Sequence, residues 1–134
     1  MGVHVIGFRL DGRSNVVPYL QLVDQVRQAL RTGLLEPGDR LPTVREVAES
    51  VSINPNTVLK AYRQLEHEGL VEGRPGQGTF VVRSLAGPSL ASHAALRREL
   101  RAWLKKARSA GLEPEDIEAL FGTTLHTFET EGAA

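Results

Sequence analysis

The sequence predicts a mainly α-helical chain with one small β-hairpin, and three observations carry that expectation. Residues 41–82 hold two stretches whose apolar residues recur near i, i+3, i+4 and i+7, the pattern of helices with one buried face. Only Ser52 and Ile53 separate them, a turn too short for anything but two closely packed helices. After Gly69, two short β-prone runs flank Pro75-Gly76-Gln77-Gly78, residues that permit a tight reversal. Helix, tight turn, helix and hairpin in that order make a winged helix-turn-helix, a unit that reads DNA.

Each element has its own local signals. Val3, Val5, Phe8 and Leu10 partly alternate and Asp11–Asn15 is turn-forming, so residues 1–17 are expected to give a short strand and a loop. Pro18 opens an amphipathic helix that runs to residue 32, with Leu22, Val23, Val26, Ala29 and Leu30 on one side and Gly33 after its end. It is expected to lie across the back of the helix-turn-helix and complete a three-helix core. Pro37-Gly38 pins the following loop. Thr43 and Glu46 form a T-x-x-E capping box, and Val44, Val47, Ala48 and Val51 face inward from the helix it starts. Asn54 as N-cap and Pro55 at N1 open the next helix. Val58, Ala61, Tyr62 and Leu65 face inward from it, and Gly69 ends it. Strands are expected at 70–74 and 79–82.

Residues 83–92 are rich in Ser, Ala, Gly and Pro, with Gly87-Pro88 at the centre, and place a boundary there. The expected organisation is a winged helix-turn-helix domain over 1–83, a linker over 84–92 and a helical segment over 93–134. In that segment Leu96, Leu100, Trp103, Leu104 and Ala107 share one face of a helix. Gly111 breaks it, and Ile117, Leu120, Phe121, Leu125 and Phe128 share one face of a second helix that frays from about Glu129. Two short helices bury too little to stand alone. Six basic groups (Arg97, Arg98, Arg101, Lys105, Lys106, Arg108) accompany one acid in the first helix. Six acids (Glu113, Glu115, Asp116, Glu118, Glu129, Glu131) and no Lys or Arg follow in the second. These signs pair either within one hairpin or between two antiparallel copies. The intermolecular reading makes the tail a dimerisation segment, with Trp103 as an anchor.

Composition narrows the function classes. The chain has 134 residues, no cysteine and a formal net charge of zero. No disulfide scaffold, thiolate metal site or cysteine nucleophile is available. A chain of zero net charge that binds DNA must do so through local charge. No apolar run is long enough for a membrane span and no signal sequence opens the chain, so a cytoplasmic protein is expected. The histidines at 4, 67, 93 and 126 have no metal-ligand spacing. Gly73–Thr79 lacks the Lys of a phosphate loop and leads into a strand, and no nucleophile, base and acid come together. No enzyme, metal or cofactor is expected.

Residues 41–82, LPTVREVAESVSINPNTVLKAYRQLEHEGLVEGRPGQGTFVV, resemble the GntR family of bacterial transcription regulators. The matching features are L-P-[ST]-x-R-x-[VL]-A, N-x-x-T-V-x-[KR]-A-Y-x-x-L, E-G-[LV]-[VI] and R-x-G-x-G-[ST]-[FY]-V, in fixed order. The short tail resembles that of YtrA-type members, which carry a small helical dimerisation segment. The resemblance implies a regulator, with a repressor the expected sign, that binds double-stranded DNA as a homodimer on an inverted-repeat operator. The alternative is a winged-helix module that contacts protein or RNA. Neither an operator sequence nor a small-molecule effector is written in these residues.

The candidate DNA contacts follow from chemistry and from the resemblance. The second helix of such a unit presents its N-terminal residues to the major groove, here Asn54, Asn56 and Thr57, with Lys60 one turn on. Asparagine suits adenine and threonine offers a hydroxyl or a methyl, although Asn54 has a capping reading as well. The resemblance puts Arg45 at the family's DNA-contacting arginine, against a plain ion pair with Glu49. The wing tip brings Arg74, Gly76 and Gln77, with Arg63 and Arg83 as flanking phosphate candidates. The expected dimer contacts are Leu96, Leu100, Trp103, Leu104, Ile117, Leu120, Phe121 and Leu125.

Overall fold

A computed structural model of the chain describes residues 6–87 and 90–132. Its elements are α1 (Pro18–Arg31), α2 (Val44–Ser50), α3 (Pro55–His67), β1 (Val71–Arg74), β2 (Gly78–Val81), α4 (Leu90–Ser109) and α5 (Pro114–Gly132). They fall into two compact units, one up to Leu90 and one from Ala91 onward.

In the first unit, α1 and α2 pack on α3, and β1 pairs antiparallel with β2 in the register Val71 to Val81 and Arg74 to Gly78. The core joins Leu22, Val23, Val26 and Leu30 of α1 to Val47 of α2 and to Val58, Ala61, Tyr62 and Leu65 of α3. Leu35, Leu41, Leu70, Val71 and Val81 close it below the hairpin. The local signals act as anticipated. Thr43 Oγ1 accepts from the Glu46 amide at 3.1 Å while Glu46 Oε1 accepts from the Thr43 amide at 3.2 Å, which completes the capping box. Ser52 turns the chain between α2 and α3 with a positive φ of 54°, and Gly69 leaves α3 at φ 76°.

The segment before α2 does more than connect. The Gly38 amide donates to Val81 O at 2.8 Å, Val81 N to Asp39 O at 2.8 Å and Leu41 N to Thr79 O at 2.9 Å. Residues 38–41 therefore lie along the outer edge of β2, and Arg40 forms a bridge with Phe80. On the other side, the buried Tyr62 hydroxyl donates to Pro42 O at 2.5 Å. Burial pushes the Tyr62 pKa up, so the phenol remains a donor across the working pH range.

The strand expected near the N-terminus does not form over residues 6–10; Val3 and Val5 lie outside the described residues. Side chains of α1 pair this backbone instead. The Arg9 amide donates to Gln25 Oε1 at 3.0 Å and Gln25 Nε2 returns a bond to Arg9 O at 2.6 Å. Gln21 repeats the exchange with Asp11 at 2.9 and 3.1 Å. Two residues of extended chain span about 6.6 Å. Four residues of helix rise about 6 Å, so glutamines one turn apart match alternate amides. Ile6, Phe8 and Leu10 are thereby laid on the core.

In the second unit, α4 starts at Leu90 and not at 93, taking up the last residues of the stretch read as linker; Pro88 lies outside the described residues. Gly111 turns the chain at φ 93°, and Asp116 Oδ2 accepts from the Glu113 amide at 2.9 Å at the start of α5. The helix runs past Glu129, where fraying was expected, to Gly132, and it carries Gly122 in its interior. Around the turn, Ala107 is buried and Trp103, Leu104, Leu112 and Ile117 are half-buried.

Two outcomes follow for stability. Tyr62→Phe leaves the Pro42 carbonyl without its donor and should cost about 1–3 kcal/mol in urea unfolding; an unchanged midpoint would mean that this bond contributes nothing. Arg27 binds Glu68 through two nitrogens, tying α1 to the end of α3. That arginine, with help from Gln64, holds the Glu68 carboxyl below its ordinary value. A lowered folded pKa stabilises above the unfolded value and is lost as pH falls through the folded one. The stability gap between wild type and Glu68→Gln should therefore be largest near neutrality and shrink below about pH 4, the ordinary carboxylate range.

Candidate nucleic-acid interface

The N-terminal turn of α3 is built by Asn54 and Pro55. Asn54 Oδ1 accepts from the Asn56 amide at 2.8 Å, and Thr57 N donates to Asn54 O at 2.9 Å. The Asn54 oxygen is thus occupied by capping, which favours the structural role for that residue. Asn56 has no such duty and is exposed beside half-buried Thr57. Lys60, one turn further, is exposed, and its ammonium lies 4.1 Å from the centroid of the Tyr19 ring on α1. A cation over an aromatic face is held in place without losing its charge, so Tyr19 fixes the direction of Lys60.

On α2, Arg45 is exposed and forms no ion pair with Glu49 among the described residues. A cation in the first turn opposes the helix dipole, and the carboxylate of that turn, Glu46, accepts from the Thr43 amide in the capping box. Thr43 beside it is used as the cap. Arg63 and Arg83 are exposed as well.

The wing reverses through Gly76 at φ 73°, with Gln77 N donating to Arg74 O at 2.9 Å. Gly76 and Gln77 are exposed at its tip. Arg74 is more constrained than its position alone implied. Its guanidinium lies 4.5 Å from the Phe80 ring centroid and its Nε lies 3.7 Å from Glu72 Oε1. Tyr19, Glu72 and Phe80, which aim the cations, were missed as functional residues. Glu72 and Arg74 lie two apart on one strand, the signal that was available.

One concavity joins the wing to the start of α2; its lining includes Arg40, Thr43, Arg74, Gly76 and Gln77. No group of three or more metal-ligating side chains occurs among the described residues. No helix among them is long and apolar enough to cross a membrane. The second unit leaves its apolar stripe uncovered. Leu96 and Phe128 are 60% and 69% exposed, and Leu100, Leu120, Phe121 and Leu125 are exposed as well.

Comparison with known proteins agrees with this architecture. The family described as bacterial regulatory proteins, gntR family, matches residues 18–81. The HTH-type transcriptional repressor YtrA of Bacillus subtilis is 36% identical over 110 residues, 81% of this chain and 85% of that protein. The structure of YtrA from Sulfolobus acidocaldarius, a GntR-family transcription factor, aligns with a TM-score of 0.51 and 30% identity, covering 74% of this chain and 94% of that one. The DNA-binding domain of AraR in complex with operator ORX1 aligns with a TM-score of 0.50 and 26% identity over 56% of this chain and 95% of that one. With helix-turn-helix, wing and helical tail in that order, the chain belongs to the GntR family of bacterial transcription regulators.

Proposed function

We propose that this regulator acts in the cytoplasm as a repressor, binding an inverted-repeat operator as a homodimer. The observation that carries the DNA reading is the set of exposed polar side chains at the α3 N-terminus and at Arg45. The core does not use them, yet it fixes the helices that carry them. In this reading Asn56 and Thr57 meet base edges in the major groove, while Arg45 and Lys60 supply base or phosphate contacts. Asn54 sets the entry angle of α3 as its cap and lies at the DNA surface. The wing reaches the adjoining backbone with Arg74, Gly76 and Gln77. The operator-bound AraR domain and the likeness to the repressor YtrA of Bacillus subtilis support operator binding and repression.

The tail supports the dimer. Leu96, Leu100, Trp103 and Leu104 on α4, with Ile117, Leu120, Phe121 and Leu125 on α5, form an apolar stripe that a second copy would cover. The basic stretch of α4 and the acidic ends of α5 would meet their opposites in an antiparallel pair, which sets register more than affinity.

Three outcomes test this. Arg45→Ala and Lys60→Ala should stay folded and weaken operator binding by about 1–3 kcal/mol where a base contact is lost. Unchanged affinity in both would sink the surface. Asn56→Ala should relax selectivity at one base pair per half-site with non-specific affinity nearly intact. A uniform loss over all sequences would make Asn56 a positioning residue. Ending the chain after Gly87, which keeps half-buried Leu85 on the core, should leave a folded monomer. It should bind a palindromic duplex roughly 10²–10⁴ more weakly than the tethered pair, with Trp103→Ala partly matching it. A full-length chain that sediments as a monomer at micromolar concentration and binds as the truncation does would end the dimer.

A further inference from the structure

Arg40 lies on the edge segment that pairs with β2, outside both helices of the reading head. Its Nε is buried and has no hydrogen-bond partner. No ion pair engages it among the described residues, whereas Arg27 is matched by Asp24 and Glu68 and Arg74 by Glu72. The fold makes room for this guanidinium at a specific place. Gly78 has a φ of 124°, and a Cβ there would lie 2.8 Å from Arg40 Nε and 3.4 Å from Nη2. The second glycine of the R-x-G-x-G wing thus serves two ends: a backbone conformation closed to other residues, and contact with a flat cation.

A partly buried cation with an unsatisfied donor is costly, and folded chains ordinarily supply a carboxylate or a carbonyl. Here neither is supplied. Arg40 lines the concavity shared with Thr43, Arg74, Gly76 and Gln77. That concavity lies between the start of α2 and the wing, the two parts that would straddle one DNA strand. A planar guanidinium held against a rigid backbone presents its donors at low entropic cost, and it suits the two oxygens of a phosphodiester.

Resting on the operator-binding reading above, we propose that Arg40 grips a DNA backbone phosphate at the base of the wing and sets the register of the head on the duplex. The contact is independent of sequence, since a phosphate carries no base information. It also accounts for the pairing of Arg40 with Gly78, which the core does not require.

The test compares wild type, Arg40→Gln and Arg40→Lys on an operator duplex and an unrelated duplex of equal length over a salt series. Arg40→Gln is expected to lower affinity by the same factor on both duplexes and to reduce the log–log salt slope by about 0.9 per bound head, about 1.8 for the dimer. Arg40→Lys should restore that slope with part of the affinity. The proposal is overturned by an unchanged slope in Arg40→Gln or by a loss confined to one base-pair position. It is equally overturned if both variants melt earlier and bind weakly together, which would make Arg40 a brace for the wing. Wild-type protein that binds no duplex in a salt-dependent way would instead reject the operator-binding reading itself.

Discussion

The arrangement depends on one strip of backbone, residues 38–42, held from both sides. The wing strand takes Gly38, Asp39 and Leu41 into a short ladder, and Tyr62 of α3 takes the Pro42 carbonyl. The α2 capping box starts at the next residue, Thr43, so α2 cannot shift without breaking these bonds. Each neutral bond contributes only about 0.5–1.5 kcal/mol net, but leaving any of the buried partners unmatched costs more than its formation yields. Leu41, buried in the same strip, adds the apolar side of the lock.

Function follows from that rigidity. Recognition by helix and wing together needs their separation fixed before DNA arrives, since ordering them on binding would cost affinity. The strip fixes it, and Tyr19 and Phe80 extend the same economy to side chains by holding Lys60 and Arg74 over aromatic faces. The tail follows the opposite logic. Its two helices touch mainly at their turn and leave most of their apolar stripe in water, an arrangement that a second copy completes.

The fold was legible wherever its causes are local. Caps at Thr43 and Asn54, the break at Gly69, the wing turn and the inward faces of α1 and α3 all follow from spacing and residue type, and all stand in the structure. Three features were not legible, because each joins residues far apart in the chain. Gln21 and Gln25 read as solvated helix positions, yet they replace a strand partner for residues 9–11. Lys60 reads as a free cation until Tyr19 is brought beneath it from another helix. Arg40 reads as a loop residue until Gly78 is folded against it. Asn54 is intermediate. Both of its readings were available in the sequence, and the bond from the Asn56 amide favours the cap.

The central claim is that two such heads, joined by their tails, read one duplex at two inverted sites. Selection of bound sequences from a random duplex pool by the full-length chain tests it most directly. The account predicts enriched sequences holding two inverted copies of a short half-site at one fixed spacing. Their centres should lie close to a whole number of helical turns apart, about 10–10.5 base pairs or a multiple. Enrichment of a single unsymmetrical site, or of pairs at all spacings alike, would contradict it.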